Sequence, residues 1–262
     1  MPDLRVISWN STGENPMKAG ELAAAAGWLA ANYLGHPHVD VFLIQEAQNG
    51  AGGAIDLWLN ALPGYTIHHI AEQLGGGGAG YICATRNASV TVTTGLTLWN
   101  YAADPNFLGW GGHLAIQPGV WTGAARVPAY TVLTVAGQNV LLVTWHAPLG
   151  PSLLPIIVGA MPGGALIDAY LALDNSQLLQ HPAALIGAAP DITIIAGDMN
   201  VTAAGLAANY GGYTPLQNFQ GVNNHLDHIL ARAPVGTVVT FNESHNSVTT
   251  SVHNMLSTRI HW

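Results

Sequence analysis

Residues 193–201 read TIIAGDMNV: a β-branched run, then Ala196-Gly197, then a carboxylate and a carboxamide two positions apart, Asp198 and Asn200. The run Thr193-Ile194-Ile195 favours a buried strand. Gly, Asp and Asn are common turn formers, so the strand can simply end in a turn. It can also present polar groups to a site, because binding and catalytic residues concentrate where rigid elements give way to loops. On this stretch alone both readings stand.

Working outward, the same pattern of apolar run and polar end recurs. LRVISW (4–9) reads as a strand running into NSTGEN, and VDVFLIQE (39–46) as a buried strand ending in Glu46. A short helix near 54–62 leads into the strand YTIHHI; GYICATR (80–86) and SVTVTTGLTLW (89–99) predict a hairpin. A second hairpin, PAYTVLTVAGQNVLLVTWH (128–146), turns at Ala136-Gly137-Gln138. HLDHILAR, GTVVTFN and LSTRIHW add three more strands. Asn15 as N-cap, Pro16 at the first turn and Gly35 as a stop bracket one helix, and a second is expected over about 165–187. About ten strands with helices between some of them, and neither repeat nor linker, predict one α/β domain over residues 1–262 with a mixed sheet or paired sheets.

The chain is 49% hydrophobic but only 8% charged, against the ~25% of an ordinary globular protein. Six basic residues and a net charge of −8 argue against the broad basic face of a non-specific nucleic-acid binder, though not against an enzyme that engages a few phosphates. The single cysteine, Cys83, rules out an intramolecular disulfide. MPDLRVISWN has no secretory pattern, so the expectation is a cytoplasmic protein, or a secreted one if this is a mature form. Residues 127–167 lack Asp, Glu, Lys and Arg, yet 148–167 carry Pro148, Pro151, Pro155, Pro162 and four glycines. A membrane-spanning helix is rejected there, because prolines break its internal hydrogen bonding.

Polar residues gather at the strand ends: Asn10, Glu46, His146, Asp198 and Asn200, with Asp227 in LDHIL and His253 before the last strand. Singly, Glu46 reads as a solvated acid and His146 as a half-buried histidine. Together they offer oxygen ligands for a hard divalent ion such as Mg2+ and two imidazoles for proton transfer, a set suited to phosphate-ester hydrolysis. Glu46, Asp198 and His253 are expected to converge, with Asp227 fixing the tautomer of His253.

SWN, IQEA, TWHAP, IIAGDMN, LDHIL and SVH resemble, in order and spacing, the endonuclease/exonuclease/phosphatase superfamily typified by deoxyribonuclease I. SWNSTGENPMKAG, IQEA and the length are most similar to the catalytic subunits of cytolethal distending toxins. The resemblance implies a four-layer α/β sandwich, two packed mixed β-sheets flanked by helices. It implies that Glu46, with Asn10 beside it, holds Mg2+ (Mn2+ or Ca2+ as alternatives). Asp198 and Asn200 would hold the attacking water and a phosphate oxygen, and His146 would be a second histidine. Asp227 would orient His253, the base, and Arg126 of ARVP would bind phosphate. One departure stands out: SVH places Val252 where the family carries an aspartate.

The implied function is a metal-dependent phosphodiesterase, a nuclease acting on DNA, with delivery subunits as partners if it is toxin-like. A phosphatase or phosphodiesterase acting on phosphorylated lipid is the alternative, favoured by the uncharged segment and the few basic residues. A catalytically weakened binding protein is a third reading, motivated by Val252. LGGGGAG (74–80) fits G-x-G-x-x-G but precedes a strand, so a dinucleotide site is set aside. His36/His38, His68/His69 and His225/His228 lack zinc-ligand spacing, and Trp28 and Trp58 read as core residues of helices.

Overall fold

The computed structural model describes residues 3–14, 20, 22–24, 27, 39–72, 79–100, 126–147, 177–180, 182–200, 214–215, 226–233, 238–245, 253 and 255–262. Lys18, Trp28, His36, His38, His225, Val252, the glycine run at 75–78, the segment 148–167 and most of the helices expected over 15–35 and 165–187 lie outside the described residues.

Twelve strands are described: β1 (Asp3–Asn10), β2 (Val41–Ala47), β3 (Tyr65–Ala71), β4 (Gly80–Arg86), β5 (Thr91–Leu98), β6 (Ala129–Val135), β7 (Gln138–Thr144), β8 (Ile192–Asp198), β9 (Thr214–Pro215), β10 (Asp227–Arg232), β11 (Val238–His245) and β12 (Met255–His261). Helix α1 spans Ala54–Asn60; α2 (Gln177–Gln180) and α3 (Pro182–Ile186) are short. The strands form two six-stranded sheets, in the orders β11-β12-β1-β2-β4-β3 and β5-β6-β7-β8-β10-β9. Each sheet is mixed, with one parallel pair near its middle, β1 with β2 and β7 with β8.

The expected hairpin of 80–86 with 89–99 does not form. β4 is occupied on both sides, by β2 and β3, while β5 crosses to the other sheet and pairs with β6. Burial explains the split: β4 is almost wholly buried, whereas β5 alternates exposed and half-buried residues, as an edge strand does. The hairpin at 136–138 forms as expected. Val135 pairs with Gln138, and Ala136 (φ 49°) and Gly137 (φ 85°) both take the left-handed conformation that a two-residue turn requires.

Side chains on a strand alternate between its two faces, and this periodicity builds the interior. Leu4, Val6, Val41, Leu43, Val140, Leu142, Ile192, Ile194 and Ile229 meet between the sheets. Ile7, Trp9, Phe42 and Ile44 face the other way, against Ile55 and Leu59 of α1. Trp58 is half-buried and packs edge-to-face on Phe42 at 5.7 Å, in keeping with its expected core role. Further up the inner face the apolar series turns polar. Gln45 Nε2 donates to Thr144 Oγ1 (2.9 Å) across the sheets and to Ser8 Oγ (3.3 Å). The next inner positions along β1, β7 and β8 are Asn10, His146 and Asp198.

Gly197 is required where these strands end. Its φ is +147°, and a Cβ there would meet Trp145 O at 2.0 Å, because the backbone past β7 runs tight against β8. Trp145 N donates to Ala196 O (3.1 Å) and Ala147 N to Asp198 O (2.7 Å), extending the parallel pairing beyond β7. Gly197→Ala should therefore cost more than about 2 kcal/mol, since strain and backbone overlap coincide. A thermal or urea melt reads the loss; a melt unchanged from the parent contradicts the tight approach.

Candidate active site

The carboxyl ends of both parallel pairs lie on one edge of the molecule, the place where ligands bind in sheets of this kind. β1 delivers Asn10, β2 delivers Glu46, the segment after β7 delivers His146, and β8 delivers Asp198. β10, antiparallel to β8, starts there with Asp227, which pairs directly with Asp198, and His253 lies just before β12.

Asn10 joins the two halves. Its Nδ2 lies 2.9 Å from Asp198 Oδ2, 3.4 Å from Glu46 Oε1 and 3.5 Å from His253 Nε2, while its Oδ1 accepts from Thr12 N (2.9 Å). Glu46, Asp198 and His253 thus converge although they lie far apart in the sequence. Glu46 reaches this place through a bulge. Ile44 pairs with Ile82 and Ala47 with Gly80, so two residues of β2, Gln45 and Glu46, oppose the single residue Tyr81. Glu46 takes φ 54°, and its released N–H donates to Glu72 Oε1 at 2.7 Å.

Two histidines repeat one arrangement. His253 Nδ1 lies 2.8 Å from Asp227 Oδ2, and His146 Nδ1 lies 3.1 Å from Glu72 Oε2. A ring N–H donated at Nδ1 in each case leaves Nε2 facing the shared space. There Asp198 Oδ2 stands 3.6 Å from His253 Nε2 and 3.7 Å from His146 Nε2. His146 Nε2 also meets Glu46 Oε1 at 3.0 Å and the guanidinium of Arg126. Arg126 lies 3.7 Å from Glu72 and 4.0 Å from Glu46, so a cation is at the site, held against carboxylates. Asn200, at φ 51°, donates its N–H to Asp198 Oδ1 (2.9 Å) and its Nδ2 to Ala147 O (2.6 Å). All eight residues singled out from the sequence therefore occupy one neighbourhood.

Glu72 and Tyr81 were not singled out. Glu72 follows a strand directly, the same signal that marked Glu46. Tyr81 gives no signal, because its hydroxyl acts only through backbone groups brought near by the fold. Cys83 is buried and its thiol is pushed up to about 12 by that burial, which disfavours a nucleophilic role.

Four carboxylates, Glu46, Glu72, Asp198 and Asp227, thus face Arg126 and two histidines. Ligand atoms of Asp198, Asp227 and His253 lie within 4.8 Å of one another. This donor set, rich in carboxylate oxygen, fits a hard divalent cation. Asp198, Asp227 and His253 form the close group that could hold one, with Glu46 as a further carboxylate beside it; Asn10 turns its nitrogen rather than its oxygen toward Glu46 and Asp198.

Residues 7–248 match the Endonuclease/Exonuclease/phosphatase family. The chain belongs to that family. Its members are metal-dependent phosphodiesterases and nucleases, and the two packed mixed sheets are the family's deoxyribonuclease I-like sandwich. Humanized D. rerio TDP2 is similar in fold, with a TM-score of 0.64 and 15% identity over 99% of each chain. D. rerio TDP2 complexed with single-strand DNA product gives 0.62 and 15%, again over 99% of each chain. A family protein from Bacteroides thetaiotaomicron gives 0.63 and 15%, covering 98% of this chain and 94% of that one. No curated protein sequence matches the chain.

The charges at this site fix how stability should depend on pH. Burial alone lowers the His253 pKa, but the hydrogen bond and charge of Asp227, with Asp198 and Glu46, outweigh it and the net shift is upward from 6.5. Asp198 is raised from 3.8 by burial and by Asp227, against the pull of His253, His146 and the Asn200 N–H. Both groups bind protons more tightly in the folded state. Their stabilisation is complete below the unfolded values and is lost as pH rises through the raised ones. A bound divalent ion favours the deprotonated forms. The rise in melting temperature given by MgCl2 over EDTA should therefore grow between about pH 5 and pH 8. A rise that stays constant with pH contradicts this reading.

Proposed function

We propose that the chain is a Mg2+-dependent phosphodiesterase acting on nucleic acid, with its chemistry confined to one catalytic domain. One observation carries the reading: Asp198 Oδ2 stands between the Nε2 atoms of two histidines, each backed by a carboxylate at Nδ1, with Glu46 alongside. His253, oriented by Asp227, takes the proton from the attacking water that Asp198 positions. His146, backed by Glu72, supplies a proton to the leaving oxygen, and Arg126 with Asn200 holds phosphate oxygens. Glu46 is the principal residue for a divalent ion, which when bound would offset charge on the phosphoryl group. Mn2+ and Ca2+ are the alternative ions.

Nucleic acid is the favoured substrate because a fold relative, D. rerio TDP2, is complexed with single-strand DNA product. The net charge of −8 and the six basic residues keep phosphorylated lipid as a second reading. Among the described residues no helix is long and apolar enough to cross a membrane. The narrower toxin-like reading, with its delivery subunits and secretion, rests on the sequence motifs alone. Plasmid nicking in MgCl2, abolished by EDTA, is the expected activity; phosphate release from lipid without nicking would transfer the proposal to the second reading. Asp227→Asn should lower the nicking rate on the order of 10²-fold or more, in line with general-base contributions. A near-parental rate in folded protein removes His253 from that role.

A further inference from the structure

Tyr81 occupies a position that nothing in the reaction itself demands. It is the one residue of β4 opposite the Glu46 bulge, and it is fully buried between the sheets. Strand alternation points it inward beside Cys83, so its ring leaves the first sheet and reaches the backbone of the second. Its hydroxyl donates to Val127 O (3.0 Å) and accepts from His146 N (3.0 Å). Val127 N donates in turn to Glu72 O (2.9 Å), and the Glu72 carboxylate receives both Glu46 N and His146 Nδ1. Burial, then the charge of Glu72, push the phenol well above its ordinary value, so the hydroxyl stays protonated and remains a donor.

We infer that Tyr81 is a positioning residue: its hydroxyl, braced between Val127 O and His146 N, sets the distance between His146 on one sheet and Glu46 on the other. The inference rests on the proposed role of His146. His146 follows β7 in a non-strand segment, and its N–H has no strand partner to fix it. In place of a ladder bond it has a rigid aromatic strut anchored opposite Glu46, whose Oε1 lies 3.0 Å from His146 Nε2. Without the hydroxyl, two buried backbone groups lose their partner, and the segment carrying His146, although still tied to β8 by Trp145 N and Ala147 N, loses its backbone bond toward the first sheet. Misplacement of a reacting group by about 1 Å can cost on the order of 10²-fold in rate.

Plasmid nicking in MgCl2 tests this with Tyr81→Phe, His146→Gln and the double variant. Tyr81→Phe should melt within several degrees of the parent, lose about tenfold or more in kcat with KM little changed, and cost nothing further when His146 is already Gln. Full activity in Tyr81→Phe, or an equal loss in both backgrounds, overturns the positioning role. Parental activity in His146→Gln overturns the functional reading of His146 itself, and that single variant keeps the two failures apart. Should His146→Gln leave no measurable rate, the His146 ring resonance, assigned by its absence in that variant, is the readout. A moved or broadened resonance in Tyr81→Phe supports the strut and an unmoved one overturns it. Should Tyr81→Phe not fold, amide exchange of His146 in the parent decides: protection supports the bond to Tyr81 and rapid exchange overturns it.

Discussion

The hydrogen bond from Asn10 Nδ2 to Asp198 Oδ2, 2.9 Å long and buried, spans the seam between two sheets whose interior is built mostly from apolar side chains. Apolar packing is strong but has no direction, so it holds the sheets together without fixing how one lies over the other. Directional bonds must set that register. Asn10 does so at the rim, and Gln45 does so one layer below by donating to Thr144. The candidate site is divided between the sheets: Asn10, Glu46, Glu72 and His253 go with one, Arg126, His146, Asp198, Asn200 and Asp227 with the other. The geometry of the site is therefore the register of the sandwich.

Concentrating acids at this seam has an electrostatic consequence. Ligand atoms of Asp198 and Asp227 within 4.8 Å of one another repel, when both are ionised, by on the order of 3 kcal/mol at an effective dielectric constant near 20. Burial first and then the charge of Asp227 raise the pKa of Asp198, and the hydrogen bond and charge of Asp227, with the charges of Asp198 and Glu46, raise that of His253 against the effect of burial. A divalent ion would relieve the repulsion more fully. The same frustration that weakens the metal-free site would supply its affinity for metal.

Much of this was legible in the sequence because the two signals involved are local. Period-two alternation places Leu4, Val6, Ser8 and Asn10 on one face, and so carries the eye from core to site along a single strand. The motifs around Glu46, His146, Asp198, Asp227 and His253 sit at strand ends for the same reason. What could not be read depends on which strands are neighbours. β4 and β5 are adjacent in sequence and suggested a hairpin, yet β4 has both edges filled within its own sheet. Glu72 carried the same strand-then-acid signal as Glu46, but its meaning lies in the Glu46 bulge and the His146 ring, both reached only in three dimensions. Tyr81 looks like any core tyrosine until its hydroxyl is seen against the His146 amide.

The place proposed for a divalent ion is where the two sheet edges meet, at Glu46. Crystals of the chain soaked in MnCl2 and measured for anomalous scattering test it most directly. One strong anomalous peak is expected within about 2.0–2.3 Å of a Glu46 carboxylate oxygen, on the side of Asp198. Crystals that diffract well and show no peak there, or a peak only at some distant surface acid, would contradict it.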